Sequence, residues 1–179
     1  MGLRMSLTEN LRQGVVAHAL TVPSAPTVGT HVVLDTNVIL DLIFWNDPQI
    51  APIREALAAR RITVLRDDET MIELAEVLSR PHFLGDEPQA LEAVRAWCAQ
   101  TAHIDRDLIE AANDHISVRC RDPLDQKFLV LTLAGKAPLL VTKDKLVLKA
   151  GKKMTRYGIL TVKPDGVTEA FRQLGICAD

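Results

Sequence analysis

The chain has 179 residues, of which 47% are hydrophobic and 25% are charged, and this composition predicts a globular protein with a sizeable core. The formal net charge of −2 excludes a protein that is basic throughout, so contact with nucleic acid would need a local basic patch. The three cysteines form no CxxC pair, which argues against a disulfide framework or zinc knuckle and favours a cytoplasmic location. No segment approaches the roughly 20 apolar residues of a membrane span, so no membrane contact is expected.

Residues 1–30 are predicted to be an N-terminal extension and linker. Residues 6–20 can form a short amphipathic helix, and Pro and Gly punctuate residues 22–30, so little of that stretch can be buried. The pattern changes at His31, and residues 31–179 are predicted to form the main domain.

Strand and helix signals alternate through this domain. Short apolar runs suited to buried parallel strands lie at residues 31–35, 61–65, 139–142 and 159–162. Apolar periodicity or capping residues favour helices at residues 37–44, 53–60, 69–79, 87–100, 105–115, 123–134 and 167–174. Asn37 is the expected cap of the first of these helices. The alternation predicts an α/β fold with a central, mostly parallel sheet flanked by helices.

Four separated acidic residues are candidates for a site, since three of them follow strand-like runs or lie at a helix start. They are Asp35, Glu73, Asp125 and Asp144. The carboxyl ends of the strands in an open α/β sheet border one crevice. Carboxylates that converge there repel one another unless a cation lies between them, and hard divalent cations prefer oxygen ligands. The pattern therefore predicts a Mg²⁺ or Mn²⁺ site.

Asp35 and Asp144 each have a structural alternative. Asp35 could cap a turn, but Asn37 is already available for the helix start, so a functional role is favoured. Asp144 lies in Thr142-Lys-Asp-Lys145, which could be a polar turn, yet its place after a strand also favours function.

Asp125 and Glu73 have stronger structural alternatives. Asp122 can cap a helix with Pro123 as its first residue and Asp125 as its third, and the pattern alone leaves this equal to a functional role. Glu73 shares a helix face with two further glutamates, and spacing alone favours a solvated acidic face.

The order of the four acids, together with the residues around them, resembles a known family. The segments that carry the resemblance are Val33-Leu-Asp-Thr-Asn-Val38, Glu73-Leu-Ala-Glu-Val-Leu78, Arg121-Asp-Pro-Leu-Asp-Gln-Lys-Phe-Leu129 and Leu140-Val-Thr-Lys-Asp-Lys145. They are similar, in this order, to the motifs of PIN-domain nucleases, in particular the branch that includes toxins of toxin–antitoxin pairs. Each motif is short, but four in order are specific together, and the resemblance spans about residues 31 to 165.

The resemblance implies a metal-dependent ribonuclease that uses Mg²⁺ or Mn²⁺ and a water nucleophile to cleave single-stranded RNA. The implied catalytic and metal-binding set is Asp35, Glu73, Asp125 and Asp144. The implied supporting residues are Asp122, an additional acid near the site, and the polar residues Thr36, Asn37 and Thr142. A protein antitoxin and a homodimer are implied as partners.

The chain departs from the family pattern in two places. Thirty residues precede the first strand, where family members usually begin, so their role is open. Lys145 is followed by Leu146, whereas a further Asp often follows the lysine, and this concerns only the outer surroundings of the metal.

A run of basic residues follows the third strand candidate. It consists of Lys143, Lys145, Lys149, Lys152, Lys153 and Arg156, and Asp144 is the acidic residue within it. Two further basic residues, Arg119 and Arg121, precede the Asp-Pro-Leu-Asp motif. Such a run is usually a solvated face. Because it adjoins the predicted site, RNA contact is favoured, with Lys143, Lys145 and Arg121 as the main candidates. Aromatic residues make up only 4% of the chain, so a long base-stacking platform is not expected.

Two other classes of function compete with this prediction. A phosphatase acting through an aspartyl phosphate would use Asp35 as nucleophile, but such enzymes usually need a second Asp where this chain has Asn37. A non-catalytic RNA-binding domain could keep the fold, but it would have no reason to retain uncompensated carboxylates.

Overall fold

The computed structural model describes residues 7–176, which form an α/β fold, as the alternating pattern predicted. The five strands of this part of the chain, β1 to β5, are Thr30–Leu34, Ile62–Arg66, Ala102–His103, Leu139–Val141 and Leu160–Val162. Its α-helices, α1 to α9, are Leu7–Gly14, Thr36–Leu40, Ala51–Ala58, Asp68–Leu78, Glu87–Cys98, Arg106–His115, Gln126–Ala134, Lys145–Gly151 and Val167–Gln173. Within residues 7–176, no helix combines the length and apolar character that crossing a membrane requires.

The strands form one sheet in the order β3-β2-β1-β4-β5. Strand β1 pairs in parallel with β2 and with β4, and β4 pairs in parallel with β5. The register places Leu34 opposite Val141 and Val141 opposite Val162, so β1, β4 and β5 end at the same level. The residues that follow these three strands therefore lie along one edge of the sheet.

Strand β4 and the second half of β1 are apolar because both faces of the sheet are covered there. Val32 and Val33 of β1 and all three residues of β4 are completely buried. Helix α7 contacts both strands and buries a continuous run of side chains from Phe128 to Thr132. Continuous burial of this kind explains why these segments lack the polar alternation of a half-exposed sheet.

The described chain divides into two compact units, the smaller of which comprises residues 7–25 together with Arg66–His103. In this unit α1 continues into a π-helical turn, Val15–Ala19, that packs on α4 and α5. Arg12 of α1 makes two 2.9 Å hydrogen bonds to the carboxylate of Glu69. The helix predicted over residues 6–20 is thus confirmed for residues 7–19, and residue 6 lies outside the described part.

The larger unit comprises Pro26–Leu65 and residues 104–176, and it contains β1, β4 and β5. The predicted cap at Asn37 is wrong. Helix α2 begins one residue earlier, at Thr36, because the backbone oxygen of Asp35 accepts the N–H groups of Val38 and Ile39 at 2.8 and 3.1 Å. The helix continues as a π-helical turn, Asp41–Trp45.

Candidate functional site

Asp35 lies at the end of β1 and is only 4% exposed. Its backbone N–H donates to the carbonyl oxygen of Val141 at 2.9 Å, which extends the pairing of β1 and β4 past the end of β1. Its carboxylate Oδ2 accepts a 2.5 Å hydrogen bond from the hydroxyl of Thr142, the fully buried residue after β4. An O–H···O⁻ bond of this length is typical of a charge-assisted interaction. Side chains as well as backbone therefore join the ends of β1 and β4.

Asp144 lies on the other side of the same hydroxyl group. Its backbone N–H donates to Thr142 Oγ1 at 3.0 Å. Its carboxylate Oδ1 accepts the N–H groups of Leu146 and Val147 at 2.7 and 2.9 Å, which makes Asp144 the N-cap of α8. The carboxylate of Asp144 therefore has a structural role as a helix cap, and its predicted role in the site stays a prediction. Asp35, Thr142 and Asp144 form one hydrogen-bonded group.

The Asp-Pro-Leu-Asp segment forms a short 3-10 turn, Pro123–Asp125, directly before α7. Asp122 caps this turn, because its Oδ1 accepts the N–H of Leu124 at 2.9 Å. Asp125 is the residue before α7, but its side chain makes no capping hydrogen bond there. The capping role considered for the segment therefore belongs to Asp122.

Cys120 is influenced by the acids of this segment and by Asp144. Its thiol is buried, and burial raises its pKa. The negative charges of Asp125, Asp144 and Asp122 raise the pKa further, while a hydrogen bond from the backbone of Asp122 lowers it. The charges of three of the sequence-predicted acids thus act on one buried thiol, and the Thr142 hydrogen bonds connect Asp35 to one of these acids, Asp144.

The chemistry of these donors suits a hard divalent cation, because carboxylate oxygens are the ligands that Mg²⁺ and Mn²⁺ prefer. Among residues 7–176, however, no group of three or more His, Cys, Asp or Glu side chains is arranged so that it could hold a metal ion. The predicted metal site therefore stays a prediction.

Glu73 lies on α4 of the smaller unit and is half-buried. Within that unit its helix begins with a capping box, in which Asp67 accepts the N–H of Thr70 at 2.9 Å and the Thr70 hydroxyl accepts the N–H of Asp67. Glu69, on the preceding turn, pairs with Arg12, so the acidic face is partly neutralised. The place of Glu73 in the site stays a prediction.

The polar residues predicted to support the site begin α2. Thr36 is its first residue and is 3% exposed, whereas the following residue, Asn37, is exposed. Of the predicted RNA contacts, Arg121 precedes Asp122 and Lys145 is the first residue of α8, and both are exposed.

Asp41 is a buried acid of the site region that the sequence analysis missed. Only 4% exposed, it lies 2.6 Å from the Nζ of Lys143, whose side chain is 43% exposed. Burial of an unpaired carboxylate costs free energy, and the ammonium group of Lys143 is the partner that offsets this cost. Lys143, predicted to contact RNA, is thus held by the protein beside Thr142. The signal for Asp41 was an acid inside the apolar run from Ile39 to Ile43.

A parallel sheet with carboxylates gathered beyond the ends of β1 and β4 defines an α/β protein with an acidic site at its sheet edge. The model of the PIN domain family matches residues 31–146, a range that includes all four predicted acids, and the chain belongs to this family. PIN domains are typically nucleases and generally use divalent metal ions.

A solved structure has a similar fold at low sequence identity. It is VapBC2 from Rickettsia felis bound to a DNA fragment from the VapBC2 promoter, with a TM-score of 0.50 and 15% sequence identity to this chain. The alignment covers 75% of this chain and 98% of the other. A comparison with curated protein sequences gives no match.

Proposed function

We propose that this protein is a metal-dependent endoribonuclease that hydrolyses phosphodiester bonds of single-stranded RNA. The observation that carries the proposal is the hydrogen-bonded group of Asp35, Thr142 and Asp144, within the PIN-domain match and at the carboxyl ends of adjacent strands. Open α/β sheets place their chemistry at this edge.

The residues proposed to hold Mg²⁺ or Mn²⁺ are Asp35, Glu73, Asp125 and Asp144. When bound, the cation would lower the pKa of a water molecule and neutralise charge on the phosphate. The contribution of the protein is pre-organisation. The Thr142 hydroxyl fixes the Asp35 carboxylate, and the first amides of α8 fix that of Asp144, so neither group has to lose rotamer freedom on binding.

A role as the toxin of a toxin–antitoxin pair is part of the proposal. The similar fold of VapBC2 supports it, since the solved structure is a complex of that kind. We propose a protein antitoxin as partner, a homodimer as the assembled form, the cytoplasm as the location, and Lys143, Lys145 and Arg121 as contacts to the RNA phosphates.

The test is cleavage of a mixed-sequence single-stranded RNA by purified protein, with Mn²⁺ or with EDTA. Wild type should cleave only with metal, and Asp35→Asn and Asp144→Asn should each lose at least about 100-fold in rate, because each loses a charged ligand. Asparagine is also a good N-cap, so α8 should stay folded in the second variant.

Asp107→Asn is the matched control, because it exchanges the same groups at an exposed position in the first turn of α6. It should cleave like wild type. Full metal-dependent cleavage by Asp35→Asn or Asp144→Asn would refute the proposed site. RNA binding by wild type without cleavage in Mn²⁺ would instead favour a non-catalytic RNA-binding domain.

A further inference from the structure

The segment of residues 116–121, here called the extended segment, alternates between buried and exposed side chains. Residues 116, 118 and 120 are buried, and the exposed residues are Ser117, Arg119 and Arg121. In an extended chain residues two apart lie on the same side, about 6.8 Å from each other at roughly 3.4 Å per residue. The two arginines therefore point outward from one side, spaced much like neighbouring phosphates of an extended nucleic-acid strand.

The side-chain amide of Gln126 holds this segment extended. Its Oε1 accepts the N–H of Cys120 at 2.7 Å, and its Nε2 donates to the carbonyl oxygen of Val118 at 3.0 Å. These are the two hydrogen bonds that a neighbouring strand would supply. The direction of the arginine side chains is therefore fixed by the start of α7.

A second row of basic residues runs along α8 and the turn after it, here called the basic row. Its members are exposed, recur mostly at spacings of three and four, and are Lys145, Lys149, Lys152, Lys153 and Arg156. The sequence contains no acidic residue between Asp144 and Asp165. In the described part of the chain none of the five forms a salt bridge, so their charge is not neutralised by the protein.

Tyr157 joins the two basic elements at the end remote from the acids. Its hydroxyl oxygen accepts the backbone N–H of Ser117 at 2.9 Å and lies 2.9 Å from the Ser117 hydroxyl, to which Arg156 donates at 3.0 Å. The Ser117 hydrogen bonds lower the pKa of Tyr157, and the positive charges of Arg156 and Arg119 lower it further. Arginines of both elements therefore lie close to this hydroxyl group.

We propose that the extended segment and the basic row together bind the phosphate backbone of single-stranded RNA as it runs from the acidic site, and that Tyr157 is the positioning residue that holds them together. The inference rests on the proposed function, because it takes RNA as the substrate. The extended segment leads directly into Asp122, and the basic row starts directly after Asp144, so both elements begin at the acids and meet at Tyr157.

The chemistry of this surface favours contact with the phosphate backbone of the RNA over contact with its bases. Its exposed side chains are almost all cationic, and the ring of Tyr157 is anchored through its hydroxyl. Such a surface attracts phosphates with little regard to sequence, and its affinity falls as salt rises because bound counterions are released.

The first experiment measures binding of a labelled single-stranded RNA in EDTA at several salt concentrations, where cleavage plays no part. Arg119→Gln and Lys149→Gln should each weaken binding about 2- to 5-fold. Each should also flatten the plot of log affinity against log salt by about 0.7. The matched control is Lys136→Gln, which removes an exposed charge between α7 and β4, at the opposite edge of the sheet. It should change neither quantity.

The second experiment uses Tyr157→Phe, which keeps the ring and removes the oxygen that accepts from Ser117. Binding should weaken several-fold, and in Mn²⁺ the KM for RNA should rise by a similar factor while kcat stays near that of wild type. Loss of a residue with a merely structural role would lower kcat as well and would not raise KM alone. Ser117→Ala, which keeps the backbone donor, should be intermediate.

The outcomes separate this inference from the proposed function. Cleavage by wild type together with unchanged binding by Arg119→Gln, Lys149→Gln and Tyr157→Phe would overturn the binding surface and leave the nuclease intact. RNA binding that these variants weaken, without cleavage by wild type, would support the surface and refute the nuclease. A preference of the wild type for duplex DNA over the RNA would overturn the assignment of the ligand.

Discussion

Asp35 and Asp144 are held in different ways, although both lie beyond strand ends. One short hydrogen bond from the Thr142 hydroxyl holds the carboxylate of Asp35, whereas two backbone amides hold that of Asp144. The amides carry the partial positive charge of a helix start, which stabilises an ionised carboxylate. The two carboxylates are therefore held by different donors, although both residues bond to the Thr142 hydroxyl group.

Asp67 is a buried acid whose ionisation makes stability depend on pH. In the smaller unit this N-cap of α4 is 4% exposed, and burial raises the pKa of its carboxyl despite the opposing hydrogen bonds from Thr70. A carboxyl group with a raised pKa binds protons more tightly in the folded state. Its ionisation therefore makes the folded state less stable as pH rises from its ordinary pKa, about 3.9, through the raised value.

We expect Asp67→Asn to match wild type in melting temperature below about pH 4 and to exceed it increasingly at higher pH, because asparagine keeps the capping oxygen without the charge. Paired thermal melts from about pH 3.5 to about pH 7 measure this difference. Asp47→Asn is the control, since it makes the same exchange at a less buried N-cap. A variant less stable than wild type throughout the range would contradict the expectation.

The positions of single residues were predictable where the neighbouring sequence decides them. Asp35 and Thr142 directly follow apolar runs, and parallel strands bring such positions to one edge. The Asp41–Lys143 pair was not predictable, because partners so far apart in the chain are chosen by tertiary packing. The resemblance suggested polar support at Thr142. Only the structure shows that its hydroxyl donates to Asp35 and accepts from the backbone of Asp144.

At the scale of elements, α8 is the helix that the sequence analysis did not find. Its lysines suggested a charged run, but Leu146, Val147 and Ala150 provide the apolar spacing of a short helix. Gly151 is its last residue, and a Cβ atom there would lie 2.4 Å from the Cβ of Thr161. The helix therefore packs closely on β5, and only a glycine allows this approach.

The start of α7 gives a prediction that separates capping from ligand binding. Asp122→Ala should lower the free energy of unfolding by about 0.5–2 kcal/mol, because the N–H of Leu124 loses its acceptor. Asp125→Asn should cost little stability in EDTA, because asparagine keeps the size of the side chain and one of its oxygen atoms, yet it should lose nearly all cleavage activity. Urea unfolding in EDTA and the RNA cleavage assay measure the two effects.

The reverse pattern would contradict this assignment. If Asp125→Asn unfolded more easily than wild type and still cleaved RNA, Asp125 would be structural. If Asp122→Ala had wild-type stability, the hydrogen bond to Leu124 would not stabilise the turn.

At the scale of the whole molecule, the alternation of strands and helices was enough to predict the fold class. Four strands were found because their apolar runs are continuous, whereas β3, with only two residues, is too short to show a periodicity. The grouping of the N-terminal helix with α4 and α5 in one compact unit was not predictable. It depends on contacts between segments far apart in sequence, including the Arg12–Glu69 ion pair.

In the proposed metal site, the carboxylates at the sheet edge share a divalent cation. Without a cation these acids repel one another, so Asp35→Asn should melt at the same temperature as wild type in EDTA, or higher, because asparagine can still accept the hydrogen bond from Thr142. Metal that binds only the folded state should stabilise wild type by about 2.7 kcal/mol at a hundredfold excess over its Kd. The variant should gain much less.

The most direct measurement is therefore a set of thermal melts of wild type and Asp35→Asn, with EDTA and with saturating Mn²⁺, which needs no RNA substrate. We expect a crossover, in which the variant is at least as stable as wild type without metal and wild type is more stable than the variant with it. If Asp35→Asn melts lower than wild type in EDTA and Mn²⁺ shifts both proteins equally, the shared metal site is wrong.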